Sequence, residues 1–189
     1  MRKSLLAPFL ILAFVLGASA SSASAEATSK NIRIYQSQSS DAISEGETVI
    51  ASEPDAAYAT AVDYARWTAM FPDIRTAIVT RQAGADALVT FVYADGHRDN
   101  LHFHNRPGTR TVWFEDTGGR ATVWAEITFN PGQQAGTTRV HTRIFAEVNG
   151  VASWFVSDGK VRRMREQRIL DDLTHLRAFF ATQAVASMP

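Results

Sequence analysis

The 189-residue chain contains no cysteine. That excludes disulfides, thiolate zinc sites, iron–sulfur clusters, a cysteine nucleophile and a Cys-anchored lipid. The chain also lacks net charge, because 19 Lys+Arg balance 19 Asp+Glu. A balanced chain has no overall attraction to nucleic acid, and nucleic acid is not an expected partner. After Leu16, no apolar run approaches the roughly 20 residues of a membrane helix. Internal repeats are missing, and so is any G-x-S-x-G nucleophile elbow. What remains is an ordinary globular composition, 46% hydrophobic and 20% charged, sized for one domain.

The first 25 residues read as an address. Arg2 and Lys3 precede an apolar run from Leu5 to Leu16, interrupted by Pro8, and small residues follow through Ala25. This is the pattern of a secretory signal peptide rather than a span. Two A-x-A sites compete, Ala18-Ser19-Ala20 and Ala23-Ser24-Ala25. The second is preferred and makes Glu26 the mature N-terminus; an uncleaved anchor is the alternative. The expectation is an exported protein, periplasmic or secreted.

The rest divides into a loose polar lead-in over 26–44, a domain over 45–181 and a tail over 182–189. Glu45 to Ser52 reads as a first strand. Ser52-Glu-Pro-Asp55 reads as a helix start, with Ser52 as cap and Pro54 in the first turn. Two short helices are expected near 54–63 and 64–71, with Phe71-Pro72 ending the second. Six strand-like segments follow, near 74–81, 86–93, 97–105, 109–116, 122–130 and 137–148. Gly84, Asp95-Gly96, Pro107-Gly108, Gly118-Gly119 and Pro131-Gly132 separate them, which is the signature of an antiparallel meander. From Val151 to Ala181 the pattern is helical. An antiparallel sheet must cover its apolar face, and only this helix is long enough to do it. The fold class is therefore α+β, a curved antiparallel sheet of about seven strands wrapped on a long C-terminal helix.

Four stretches carry a family resemblance. Val49 to Tyr58 runs a strand into Ser-Glu-Pro; Asp63 to Pro72 reads Asp-Tyr, Trp67 and Phe-Pro; Gly136-Thr-Thr-Arg-Val140 enters the last strand; Asp171 to Arg177 closes the helix. In this order they resemble the START-like, or SRPBCC, superfamily with its helix-grip fold, which includes polyketide cyclase-like and Bet v 1-like proteins. The resemblance implies a pocket between sheet and helix for an apolar molecule such as a lipid, quinone, sterol or polyketide. It speaks to fold more than to chemistry.

Strand alternation supplies the candidate walls. Val89, Phe91 and Tyr93 share a face, as do Leu101 with Phe103, Val123, Ala125, Ile127 with Phe129, and Val140, Thr142 with Ile144. The 109–116 strand is ambiguous between Val112 with Phe114 and Thr111 with Trp113. Trp67, Met70 and Phe71 are expected to close one end of the pocket. On the helix, Val151, Trp154, Phe155, Asp158, Arg162, Arg165, Ile169, Leu173, Leu176 and Phe180 fall on one stripe. Its charged members need a partner or water, since an unpaired buried charge is costly. Arg162 and Arg165 are candidates to meet a polar or anionic ligand group; snorkelling, or pairing with Asp158 and Glu166, is the alternative. A solid core with no cavity would show the same stripes.

His102 and His104 share a strand face and, with His97 or His141, offer imidazoles for a metal. A structural zinc site needs four ligands, and Leu101 and Phe103 claim the inner face. The histidines are read as solvent-facing, and no metal and no cofactor is assigned. The carboxylates Glu115, Asp116, Glu126 and Glu147 show no acid–base spacing. Lys160, Arg162, Arg163, Arg165 and Arg168 form a basic cluster that permits transient contact with anionic lipid headgroups. The leading expectation is noncatalytic binding or carriage of a hydrophobic or amphipathic small molecule. A cyclase- or hydrolase-type enzyme in the same pocket and a filled interaction module are the rivals.

Overall fold

The computed structural model describes residues 31–116, 121–148 and 157–186. The expected signal peptide and Trp154 lie outside the described residues. Eight antiparallel strands form one sheet: β1 Arg33–Gln36, β2 Ile43–Ile50, β3 Ile74–Ala83, β4 Asp86–Tyr93, β5 Arg98–Arg106, β6 Thr111–Asp116, β7 Ala121–Pro131 and β8 Thr138–Val148. Their order across the sheet is β1-β2-β8-β7-β6-β5-β4-β3. Consecutive hairpins therefore build β3 to β8. The chain between β2 and β3 crosses from one side of the sheet to the other. It does so through α1 Pro54–Ala61, a 3-10 turn Tyr64–Arg66 and α2 Trp67–Met70. The long helix α3 spans Asp158–Ala186.

Two expectations need correction. The lead-in holds β1 and the start of β2, because Ile34 and Tyr35 pair across to Gly46 and Glu45; this strand makes the sheet eight-stranded. Ser52 does not cap α1. Glu53 occupies that position without a side-chain cap, and Ser52 Oγ donates to the Glu53 carbonyl at 3.3 Å. Pro54 supplies the preset first turn instead.

The sheet buries one face by strict alternation. On β4, Ala87, Val89, Phe91 and Tyr93 turn inward; on β5, Asp99, Leu101 and Phe103 do. The ambiguity on β6 resolves to Val112 and Phe114, although Thr111 is buried as well. Helix α3 covers this face from the β2 and β8 side. Gly46 on β2 is what lets it come close: a β-carbon there would stand 2.3 Å from Ile169 Cγ2 and 3.2 Å from Leu173 Cδ1. A side chain at that position would hold the helix off the sheet. Since α3 seats on β2 and β8, the face of β3 to β6 needs another cover. The segment from Tyr64 to Phe71 provides it, with Tyr64, Trp67, Met70 and Phe71 all buried against the strands.

Candidate functional site

Between α3, the cover segment and the middle of the sheet lies a small cavity. Trp67, Phe71 and Ile74 close it from the cover side, while Phe91, Tyr93, Leu101, Phe114, Ala125, Ile127, Thr142 and Ile144 form its sheet wall. Arg168 and Asp172 of α3 complete it. The space is about 20 Å³, room for about one water.

The aromatic side chains explain why it is so small. The Trp67 ring stacks on Phe91 at 5.2 Å and meets Phe103 at 5.4 Å and Phe114 at 5.9 Å, both edge-on. Phe71 lies 5.1 Å away. The Trp67 indole Nε1 donates to the Ala61 carbonyl at 2.8 Å, so burial leaves its one polar atom satisfied. Trp67 thus plugs the gap that helix α3 leaves over the sheet.

One end of the cavity is polar. Arg168 donates from Nη1 to Asp73 Oδ2 at 3.0 Å and from Nε to Asp172 Oδ2 at 3.1 Å. Burial works against the Arg168 charge, but the Asp172 and Asp73 carboxylates more than offset this and hold its pKa above the ordinary value. Burial pushes the Asp172 carboxyl up to about 6 against the pull of Arg168, and nearby Asp73 adds to the rise. Two carboxylates share one guanidinium, so one of them accepts a proton readily. Behind the cavity wall, His97 Nε2 lies 2.7 Å from Asp99 Oδ1, and the His97 ring stacks on Tyr93 at 5.8 Å. Burial raises both the Asp99 carboxyl and the Tyr93 phenol, the latter strongly.

Six of the expected wall residues line the cavity: Phe91, Tyr93, Leu101, Phe114, Ile127 and Ile144. Phe103, Phe129, Ile169 and Leu173 are buried in the core without lining it. The two arginines need correction. Arg162 is on the outer side of α3, where its guanidinium pairs with Glu166 at 3.3 Å. Arg165 is 3% exposed but reaches away from the cavity. It donates to Ser44 Oγ at 3.2 Å, the Ala146 carbonyl at 3.1 Å and the Asp41 carbonyl at 2.8 Å. The polar group at the cavity is the Arg168–Asp172 pair, whose members belong to the basic cluster and the closing helix motif of the sequence. The signal was there in the i, i+4 spacing of the two residues, one turn from Arg165 and Ile169.

His102 and His104 do face away from the core, across the sheet from the cavity, as expected of them. Among the described residues, no helix is long and apolar enough to cross a membrane.

No protein-family model matches the sequence, and a search of curated proteins finds no significant match. Solved structures do match. A START superfamily protein from Mycobacterium smegmatis superposes with a TM-score of 0.61 at 9% identity, over 75% of this chain and 98% of its own. An aromatase/cyclase from a Streptomyces species gives 0.61 at 13% identity, over 83% and 96%. A STAR-related lipid transfer protein fragment from Xanthomonas axonopodis gives 0.58 at 13% identity, over 80% and 94%. The fold is START-like. The helix-grip architecture expected from the motif order is therefore established, and at these identities the likeness concerns fold alone.

Proposed function

We propose that the chain is an exported, noncatalytic binder of a hydrophobic or amphipathic small molecule, held between the sheet and α3. The observation that carries this reading is how the gap is filled. The middle of the sheet is covered by a short segment carrying Trp67 and Phe71, not by the long helix. Swinging Trp67 and Phe71 out and admitting an apolar ligand exchanges one set of buried apolar contacts for another. Burial of the ligand's apolar surface offsets the re-exposure of Trp67 and Phe71, which brings the opened and ligand-filled form within reach of binding energy. Arg168 and Asp172 then meet the polar end of the ligand, and the aromatic wall meets its body. The solved neighbours, one named for lipid transfer and one for aromatase/cyclase activity, agree with an apolar occupant. The apolar run and A-x-A sites of the first 25 residues support export.

A second reading has an observation in its favour. A void of about 20 Å³ is small against the roughly 300 Å³ and more of typical ligand pockets, which fits an interaction module with a filled core.

Native mass spectrometry of the protein purified from its own cells separates the two. A carrier should show a discrete adduct that organic extraction releases as an apolar molecule. The Ala125→Leu variant, which fills the cavity, should lose that adduct while keeping its far-UV circular dichroism. A wild-type protein that carries no adduct and takes up no fatty acid or quinone from added stocks would leave the filled-core reading standing.

A further inference from the structure

On the solvent side of the sheet, opposite the cavity, three strands bring four metal-type side chains together. His102 and His104 share the outer face of β5. Asp86 on β4 is the cross-strand partner of His104, and Glu115 on β6 is the cross-strand partner of His102. One ligand atom from each of Asp86, His102 and His104 lies within 4.8 Å of the others. The His104 Nδ1 to Asp86 Oδ1 distance is 2.6 Å, and His102 Nδ1 is 4.0 Å from Glu115 Oε1. The two imidazoles stand 4.1 Å apart between ring centroids.

We infer that Asp86, His102 and His104 form a binding site for a late first-row divalent cation such as zinc. Two imidazoles and a carboxylate suit zinc and copper and are a poor match for calcium or magnesium, which prefer oxygen. Zinc binds such ligands in tetrahedral geometry at about 2.0–2.2 Å, so the 2.6 Å His104–Asp86 contact opens slightly and the wider spacing to His102 closes, both by side-chain rotation. The sheet holds the three backbones in register, so binding orders only side chains. A bound cation takes the place of the direct His104 Nδ1 to Asp86 Oδ1 contact. Glu115 stands beside His102 in the role of a carboxylate that orients a metal-bound imidazole. The remaining coordination position opens on a groove of about 430 Å³ lined by Asp86, His102, Arg81, Ala83, Ala87 and Leu88. Arg81 suits water or a small anion as the outer ligand. The histidine spacing was visible in the sequence. Asp86 was not, because it joins only through the β4–β5 hairpin.

Trp113 makes the site measurable. Its ring lies 4.9 Å from His104, so a paramagnetic ion bound there quenches its emission. Titration of the metal-stripped protein with zinc chloride, followed by calorimetry, should show about one ion per chain. Cobalt should give visible bands of tetrahedral type and copper should quench fluorescence. His102→Gln and His104→Gln should each weaken zinc binding more than ~100-fold, beyond the roughly 10–100-fold loss of an orienting partner. Trp113→Phe should keep zinc stoichiometry and lose most of the copper quenching. His141→Gln, which removes an imidazole paired with Glu45 elsewhere on the sheet, should change neither. No zinc uptake by the wild type would overturn the site, as would uptake unchanged in the His102→Gln, His104→Gln double variant. Half-stoichiometric uptake that forms dimers would overturn the single-chain coordination and move the ion to an interface between copies.

Discussion

Arg165 and Arg168 are one turn apart on the same helix, yet they do different work. Arg165 spends its donors on two carbonyls and a hydroxyl, and so ties α3 to the start of β2 and the end of β8. Arg165→Met should therefore lower stability by about 2–3 kcal/mol, because the acceptors lose their partner in a buried setting. Chemical denaturation would show it, and apolar ligand uptake should persist. Asp172 predicts a pH effect. Its carboxyl titrates near 6 in the fold against an ordinary 3.8. Between those values the native protein keeps a proton that the unfolded chain has lost. Stability from this group is thus greatest at low pH and falls as pH rises through that window. Asp172→Asn should remove this part of the slope in urea midpoints measured from pH 4 to 7, which leaves the same-sign contribution of the raised Asp99 carboxyl and the opposing one of the lowered His175 imidazole in place. The partners of Arg165 were illegible in the sequence for a physical reason. A helical stripe tells which side chains face inward, but the oxygens that Arg165 finds are backbone groups at positions 41 and 146, and backbone atoms leave no mark in residue types.

At the level of elements, the sheet was legible almost strand by strand. Turn residues punctuated it, and alternating apolar residues marked its inner face. The β1 strand escaped because four polar-flanked residues, Arg33–Gln36, carry too little alternation to stand out from a Ser-rich stretch. The cover segment was legible as a short apolar helix. What could not be read was its depth: Trp67 at 5% exposure fills space that the same sequence could have left to a ligand. Trp67→Ala should cost about 3–5 kcal/mol, the loss for a large aromatic in a core. The same substitution should raise uptake of a small apolar probe such as benzene, seen by thermal shift at saturating probe. A stability loss below about 1 kcal/mol would instead make the segment a surface flap.

Across the whole molecule, the order of strands sets when the fold can close. β2 has no neighbour on its inner side until β8 arrives, with Ile43 opposite Phe145 and Ile50 opposite Thr138. Helix α3, the element that Gly46 seats on β2, comes later still. A nascent chain that has emerged only as far as β7 can make hairpins but cannot complete the sheet. Only the β2–β8 strand pairing is distant and the other strands pair as sequence neighbours, so refolding should fall between the fast helical bundles and the slow all-β domains, on the order of milliseconds, in stopped-flow fluorescence. C-terminal truncations that remove β8 should fail to fold at all, as read by protease resistance. For a protein proposed to leave the cell's interior, late closure has a use. The chain stays threadable until its last strand is made, and the architecture itself delays the commitment that would block translocation.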